Sequence, residues 1–372
     1  MKKIVYVVKN KLHYYPPCIS QIRMLNDLGY DVDVLYGTSD SNILEILTSE
    51  NIKCIKIPNI SDDNSSIMKK VNIWLNYRKE MKKIIKKYDC NNTLFWFGTA
   101  ESCLPLKGLL KNKKYICFVL ELLDEYKLKL RLLKTLMQNA IAVCVCENTR
   151  AYLQQNWWGL KELPYVFPNK PYRPLEYNID MNNKQLKTAL MTIGNSKYIL
   201  YQGILQNKEE LIEIAKALNN TKEHLRFVLM GIDKYNCINE IKKYYNDVIY
   251  IKYIPAPLHL IITKNAYIGI AYYRGDSLNK VFCAPNKIYE YSEFSIPMLC
   301  NNVPGLLNTV GKFGAAECIT LKEKNIVKSI NRISKEYKTY CSNSNKFYLS
   351  TDNLSTMKEL MKSIEKKEGI KW

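Results

Sequence analysis

The sequence predicts an α/β protein with two doubly wound domains, each a parallel sheet with crossover helices. Short apolar, β-branched runs alternate with helical patterns along almost the whole chain, which is typical of parallel sheets. This alternation starts at residue 3, is interrupted by a polar segment at 169–195, and starts again at residue 197. A length of 372 residues is also sufficient for two cores.

The first half shows six apolar runs that we interpret as strands, and apolar residues spaced three or four apart that we interpret as helices. The expected strands lie at residues 3–8, 31–36, 54–57, 93–97, 115–120 and 140–146. The expected helices lie at residues 18–29, 41–50, 66–88, 102–112, 125–140 and 148–157. A short run at 165–169 ends this half, so we place the first domain at residues 1–170.

The second half repeats the pattern, which places the second domain at residues 171–352. Its expected strands lie at residues 197–203, 225–231, 248–251, 266–273 and 298–300. Its expected helices lie at residues 208–219, 236–245, 286–294 and 322–340. A last helix at about 353–372 is expected to pack back on the first domain.

The composition narrows the class of protein. The net charge of +20 favours anionic partners such as phosphorylated ligands or anionic lipid. The charge is divided evenly between the two halves and forms no basic stripe, which disfavours nucleic acid as the partner. Twelve cysteines form no C-x-x-C pair and the three histidines are scattered, so we expect no metal site and a reducing, cytoplasmic setting. No apolar run is long enough to span a membrane.

One stretch, CAPNKIYEYSEFSIPMLCNNVPG at residues 283–305, combines features of an anion site. Ala284, Pro285 and Asn286 form a loop that ends on a helix N-terminus, where free backbone N–H groups and the helix dipole attract anions. Lys287 lies in the first turn, where its charge opposes the dipole, and a bound phosphate would explain it. Glu290 lies one turn further, within reach of hydroxyl groups on the same ligand.

The segment PNKIYEY…IPMLCNNVPG resembles the donor-site segment of GT-B glycosyltransferases, especially glycosyltransferase family 4. CENTRAY…PYVFPNKP, earlier in the chain, resembles the pattern that ends the first domain of that family. The resemblance implies two Rossmann-like domains facing a cleft. It also implies a nucleotide sugar such as a UDP- or GDP-sugar as substrate, no cofactor, no divalent metal, and retention of the anomeric configuration.

The same resemblance assigns two further loops to the donor. The loop YQGILQNKEE would hold the diphosphate, with Gly203 allowing close approach and Lys208 sharing its neutralisation with Lys287. The loop KYIPAP would hold the base through Tyr253 and Ile254. Lys208 and Glu290 therefore count as catalytic candidates.

One departure from the family concerns the sugar. Glu290 matches the carboxylate that bonds the ribose in relatives, but a second glutamate eight residues earlier is replaced by Phe282. The sugar is then expected to meet backbone N–H groups near Cys283 and Ala284, or Asp276 from the preceding loop.

In the first domain, Glu101 follows the strand at 93–97 and is the third catalytic candidate, as a general base on an acceptor hydroxyl. The alternative is a carboxylate that only stabilises its own helix N-terminus. His13, Glu121 and Asp124 also follow strands on this half.

The segment EYKLKLRLLK, within the expected helix at 125–140, combines an apolar face with flanking lysines. Leu128, Leu132, Leu133 and Leu136 form the face. Such a helix can lie on an anionic bilayer, or it can pack in the core with its lysines solvated.

The sequence thus predicts a cytoplasmic hexosyltransferase of the GT-B type that acts on a glycan or polyprenyl-linked acceptor in capsule or other surface polysaccharide synthesis. A peripheral contact with the inner face of the membrane is a further expectation. Two alternatives remain: a GT-B-type nucleotide-sugar epimerase, and a non-catalytic partner that only binds the nucleotide sugar.

Overall fold

The protein is described by a computed structural model covering residues 3–60, 66–89, 91–172, 183–205, 208–254 and 256–368. It divides into two compact units. The first unit comprises Met1–Pro174 and Asp352–Trp372, and the second comprises Leu175–Thr351.

Within the described residues, the first unit contains a seven-stranded parallel sheet with the order β3-β2-β1-β4-β5-β6-β7. Its strands are β1 (Lys3–Lys11), β2 (Asp31–Thr38), β3 (Lys53–Lys56), β4 (Thr93–Phe97), β5 (Lys114–Val119), β6 (Ala142–Val145) and β7 (Tyr165–Val166). The central strands are buried on both faces, which explains their continuous apolar sequences.

The helices of the first unit connect these strands, and the last helix of the chain joins them. They are α1 (Pro16–Asp27), α2 (Ser41–Ser49), α3 (Ile67–Ile85), α4 (Ala100–Cys103), α5 (Lys127–Asn139), α6 (Asn148–Trp158) and, at the end of the chain, α16 (Asn353–Glu368). The helix α16 packs on α1 and β7, and the Asn353 side chain donates to the carbonyl of Pro168 over 2.8 Å.

The second unit has a six-stranded parallel sheet, in the part of the chain described, with the order β10-β9-β8-β11-β12-β13. Its strands are β8 (Tyr198–Gln202), β9 (Arg226–Met230), β10 (Val248–Ile251), β11 (Ile268–Ala271), β12 (Met298–Asn301) and β13 (Ala316–Ile319). Its helices are α7 (Lys184–Ile193), α8 (Lys208–Leu218), α9 (Cys237–Ile241), α10 (His259–Lys264), α11 (Leu278–Val281), α12 (Asn286–Glu293), α13 (Pro304–Leu306), α14 (Glu323–Lys335) and α15 (Tyr337–Ser350).

The predicted fold class is confirmed, since each unit is a doubly wound parallel sheet. The predicted helix at 102–112 is wrong: α4 stops at Cys103 and a short 3₁₀ helix, Leu104–Leu106, follows. Pro105 lacks an N–H and disfavours continuation, and Gly108 takes a left-handed φ of +83°.

Several elements of the second unit differ from expectation, and the short helices α10, α11 and α13 were not expected. The polar segment at 169–195 contains helix α7, which buries Leu186, Ala189 and Ile193 against the sheet. The expected helix at 322–340 is two helices, because α14 ends at Lys335 and α15 begins at Tyr337. The edge strand β13 was not expected, since its sequence AECI is short and interrupted by a charged residue.

The strand order locates a ligand site in the second unit. The chain winds outward from β8 in one direction and from β11 in the other, so the order reverses between these neighbouring strands. In open parallel sheets, ligands bind beyond the carboxyl ends of the strands at such a reversal. We therefore expect the segments that follow β8 and β11 to form the ligand site.

Candidate functional site

The carboxyl end of β8 is shaped by two glycines in close contact. Gly203 follows β8 with a φ of +125°, and its N–H donates to the carbonyl of Met230 over 2.9 Å. A Cβ on Gly231 would lie 1.8 Å from the carbonyl oxygen of Gly203. A side chain at position 231 would therefore force the two loops apart. The result is an edge where backbone is accessible to a ligand.

Helix α12 begins beside this edge and is fixed by Tyr291. The Tyr291 hydroxyl donates to the carbonyls of Leu200 on β8 and Ile270 on β11, over 3.1 and 3.3 Å. A Cβ on Gly269 would lie 2.6 Å from the Tyr291 ring, so this glycine makes room for the ring. The N-terminus of α12 is thereby held at the strand reversal, with Pro285 in extended conformation before it.

Lys287 lies in the first turn of α12, and its ammonium group faces aromatic rings. The Nζ atom is 4.7 Å from the ring centroid of Tyr201 and 5.6 Å from that of Tyr273. Among the residues that the structure describes, no carboxylate oxygen lies within the 4.0 Å of an ion pair. Burial lowers the pKa of Lys287 to about 8, although Glu290 acts in the opposite direction. This cation has room for an anionic partner.

Glu290 follows Lys287 by one helical turn and is held by two neighbours. Its carboxylate accepts a hydrogen bond from the Gln202 amide, and its Oε2 lies 3.7 Å from Nε2 of His259. Burial by itself would raise the pKa of Glu290, but His259, Lys287 and Gln202 together lower the pKa below its ordinary value. The carboxylate is therefore ionised at neutral pH, and its side chain is 19% exposed.

The carboxylate is oriented by a chain of polar contacts from helix α10. The Thr263 hydroxyl donates to Oε1 of Gln202 over 2.8 Å, which turns the Gln202 amide group toward Glu290. His259 lies one turn earlier on the same helix, so both side chains share a face. Its Nδ1 is buried and has no hydrogen-bond partner within the described chain.

Sequence reasoning missed Gln202, His259 and Thr263 as site residues. The signal in the sequence is the i, i+4 spacing of His259 and Thr263 just after the loop at 252–257. That spacing alone does not show that the pair faces Glu290, since 88 residues separate Gln202 from Glu290 and 61 separate it from Thr263.

The other residues expected around the donor differ in their exposure to solvent. Cys283 is buried, and a Cβ on Gly305 would lie 2.5 Å from its carbonyl oxygen, so the start of the loop packs tightly on helix α13. Ile254 is 3% exposed and belongs to the core. Tyr253 is 54% exposed.

Lys208 was expected to converge with Lys287 on a diphosphate, and in the structure each ammonium group has its own neighbours. The Lys208 ammonium lies 2.9 Å from Oε2 of Glu240 on α9, which raises the pKa of Lys208. The side chains of Lys208 and Lys287 have no partner in common among the described residues. Asp276, the alternative contact for a sugar, is paired with Lys280 over 2.7 Å.

Glu101 lies on the first unit, beyond the carboxyl end of β4. Its Oε2 accepts a hydrogen bond from Nδ2 of Asn10 over 2.9 Å, and its Oε1 lies 3.6 Å from Nζ of Lys129. The side chain is 53% exposed and belongs to the first turn of α4, which Thr99 caps. These surroundings suit the helix-stabilising alternative, and they also leave the carboxylate accessible.

The remaining strand-end residues of this unit have structural contacts. Nδ1 of His13 accepts from the Asp40 N–H over 3.0 Å, and Glu121 lies 3.9 Å from the buried Arg150 guanidinium. Within the described residues, no group of three His, Cys, Asp or Glu side chains is placed to hold a metal ion. No helix in that part of the chain is long and apolar enough to cross a membrane.

The fold is that of the GT-B glycosyltransferases, with two Rossmann-like domains. A glycosyltransferase from Rickettsia africae is similar over 98% of each chain, with 13% identity and a TM-score of 0.65. HepE from Anabaena, in complex with UDP and glucose, matches 98% of this chain and 100% of its own, with 11% identity and a TM-score of 0.69. UDP-GlcNAc 2-epimerase from Neisseria meningitidis, bound to UDP-GlcNAc, matches to the same extents, with 14% identity and a TM-score of 0.68.

These identities are low enough that the likeness establishes the fold alone. No protein-family model matches the sequence, and no curated protein matches it.

Proposed function

We propose that this protein is a glycosyltransferase whose second unit binds a nucleotide-sugar donor. The observation that carries this proposal is the pairing of Lys287 and Glu290 on the first turns of α12, at the strand reversal. Lys287 has no carboxylate oxygen within ion-pair distance among the described residues, and Glu290 is an ionised hydrogen-bond acceptor. A nucleoside diphosphate needs both, an ammonium group for its phosphates and an acceptor for its ribose hydroxyls.

The similar structures support the choice of ligand. HepE was crystallised with UDP and with UDP-glucose, and the Neisseria epimerase with UDP-GlcNAc. We infer that a UDP-sugar is the donor class to test first, with Tyr253 and the backbone at Ile254 nearest the base. The backbone of Cys283, Ala284 and Asn286 would then meet the phosphates or the sugar.

The roles of the site residues follow from where negative charge develops during glycosyl transfer. In glycosyl transfer, the bond between the anomeric carbon and a β-phosphate oxygen breaks, and its electron pair stays on the diphosphate. The ammonium of Lys287 and the N–H groups at the start of α12 stabilise that charge. The acceptor oxygen bonds to the anomeric carbon and loses its proton to a base, for which Glu101 is our candidate.

The finer features of the proposal come from the family resemblance. They are hexosyl transfer with retention, independence of a divalent metal, and a glycan or polyprenyl-linked acceptor in surface polysaccharide synthesis in the cytoplasm. Lys208 remains a secondary candidate for the diphosphate, since its charge is engaged with Glu240.

A second candidate function is nucleotide-sugar epimerisation. The observation in its favour is the His259–Glu290 pair, because an epimerase needs proton-transfer groups close to the sugar nucleotide. The pair lies where we place the ribose, which favours a binding role over proton transfer, and transfer remains the leading proposal.

The two functions are separated by one experiment with two readouts. We expect UDP to raise the thermal unfolding midpoint of the protein, while an oligonucleotide of equal charge leaves it unchanged. With UDP-sugars, a transferase releases UDP when an acceptor extract is added, and an epimerase converts the sugar without one. No shift with UDP or GDP would contradict the proposed site, and a shift without turnover in any acceptor mixture would favour a non-catalytic binding partner.

The affinity for UDP should depend on pH through Lys287. The ammonium is the form that attracts phosphate, and in the free protein it predominates below its pKa of about 8. Burial raises the pKa of neighbouring Tyr201 to about 12 and also raises that of Tyr273, so both stay neutral in this range. We therefore expect the dissociation constant to be constant near pH 7 and to rise above pH 8, by up to about tenfold per pH unit.

Isothermal titration between pH 6.5 and about 9.5 measures this dependence. In Lys287→Arg the guanidinium stays charged, so the rise should disappear while binding is retained. The same slope in wild type and in Lys287→Arg would assign the titration to another group.

A further inference from the structure

Two helices of the first unit expose apolar side chains on their first turns. On α3, Met68, Val71 and Leu75 are 78%, 50% and 51% exposed, and their spacing places them on one helical face. On α5, Leu128 and Leu132 are 69% and 38% exposed, again one turn apart. The leucine face predicted for α5 is therefore divided: Leu133 and Leu136 enter the core, and Leu128 and Leu132 do not.

Both helices cover the same face of the sheet. The later turns of α3 bury Tyr77, Met81 and Ile85, and those of α5 bury Leu133 and Leu136, in one shared core cluster. A crossover helix between parallel strands runs back along the sheet, so its first turns lie at the carboxyl ends of the strands. The exposed apolar residues of α3 and α5 therefore lie at one edge of the unit.

Polar contacts join both helices to the segment between them. The Arg78 guanidinium of α3 donates to the carbonyls of Pro105 and Lys107, over 2.6 and 2.8 Å. Lys129 of α5 lies 3.6 Å from Glu101 of α4. We call the exposed first turns of α3 and α5, residues 68–75 and 127–132, the paired-helix edge.

The paired-helix edge is strongly basic. The α5 sequence KLKLRLLKTLMQN has four basic residues and no acidic residue, and Glu80 is the one acidic residue in the α3 sequence. Lys127, Arg131 and Lys134 are exposed beside the exposed leucines, and Lys69 and Lys70 are exposed beside Met68. Apolar side chains flanked by cations match the boundary of an anionic bilayer, where acyl chains lie beneath phosphate groups.

We propose that the paired-helix edge docks on an anionic phospholipid bilayer. Met68, Leu75 and Leu128 enter the acyl-chain boundary, and the flanking lysines and arginine meet lipid phosphates. Docking itself does not depend on the proposed function. It also deepens that function, and in this respect rests on it, because Glu101 and Asn10 lie at the same strand ends and an acceptor carried by a membrane lipid would reach them there.

Vesicle cosedimentation tests the docking with two sets of variants. We expect the protein to bind phosphatidylcholine vesicles that contain phosphatidylglycerol and to bind pure phosphatidylcholine at least tenfold more weakly. The triple variant Lys127→Gln, Arg131→Gln and Lys134→Gln should lose about 100-fold in partitioning to anionic vesicles. The matched control Lys324→Gln, Lys328→Gln and Lys335→Gln removes three exposed cations from α14 and should lose much less.

The apolar side chains have their own variant and control. Met68→Ser, Leu75→Ser and Leu128→Ser should lower binding to anionic vesicles at least tenfold. Met191→Ser with Leu349→Ser, exposed at 82% and 68% on the second unit, should not. Unchanged thermal midpoints show that the variants fold, since all these side chains are exposed.

Three outcomes overturn the proposal. The first is equal binding to neutral and anionic vesicles, and the second is an equal loss of binding in variants and controls. The third is an oligomer of the wild type that the apolar variant dissociates, because it would assign the paired-helix edge to a second copy of the chain. Binding of UDP is measured on the same samples. Vesicle binding without UDP binding would sink the proposed function and leave the docking intact.

Discussion

Lys287→Met should weaken UDP binding by about 10- to 100-fold and lower kcat/KM for a nucleotide sugar by at least about 1000-fold. The ammonium has two aromatic rings beside it and, in the described chain, no carboxylate within ion-pair distance, so its charge is available to a ligand. The loss in rate exceeds the loss in binding, because the negative charge on the diphosphate grows as the glycosidic bond breaks.

The effects of Lys287→Met on stability and on activity can be told apart. Burial lowers the pKa of Lys287, which means that the folded protein disfavours its charged form. Methionine has a similar volume and no charge, so the thermal midpoint of the ligand-free variant should be unchanged or higher. Lower activity with an intact midpoint would assign the loss to the site.

Lys208→Met is the matched control. Lys208 is 41% exposed and its charge is engaged with Glu240, so we expect UDP affinity to change less than about threefold, the effect of an exposed pair. Equal losses in Lys208→Met and Lys287→Met would show that the diphosphate contacts both cations, as the sequence alone suggested. A loss in Lys208→Met only would contradict our assignment of Lys287.

The two charged residues of the candidate site could be proposed from the sequence alone. Lys287 and Glu290 lie on one short helix, so their relation depends only on local periodicity and on the helix N-terminus set by Pro285. The parallel sheets could be predicted for the same reason, since each strand carries its own apolar signal.

The partners of Glu290 could not be found in this way. Gln202 and His259 come from β8 and α10, and they meet Glu290 only because the sheet order places β8 beside β11. Sequence patterns specify elements, and the order of strands in the sheet decides which loops meet. The expected convergence of Lys208 and Lys287 stays a prediction, and the pairing of Lys208 with Glu240 of α9 could not be found from the sequence for the same reason.

Glu290→Gln should weaken UDP binding by about 10- to 100-fold and should remove the discrimination between UDP and its deoxy analogues. The ionised carboxylate accepts from Gln202 and lies near His259, and it has further acceptor capacity for a ribose hydroxyl. Wild type should therefore prefer UDP over 2′-deoxy-UDP or 3′-deoxy-UDP by at least about tenfold.

The four dissociation constants for wild type and Glu290→Gln, with UDP and with the deoxy analogue that wild type binds less well, form a thermodynamic cycle. If the carboxylate bonds that hydroxyl, the variant should bind both nucleotides with similar affinity, because the group that reads the hydroxyl has lost its charge. Glu293→Gln, at the end of the same helix, should keep both the affinity and the discrimination of wild type. Parallel losses for UDP and deoxy-UDP in Glu290→Gln would instead mean that the carboxylate acts on the ligand indirectly, by stabilising the ammonium of Lys287.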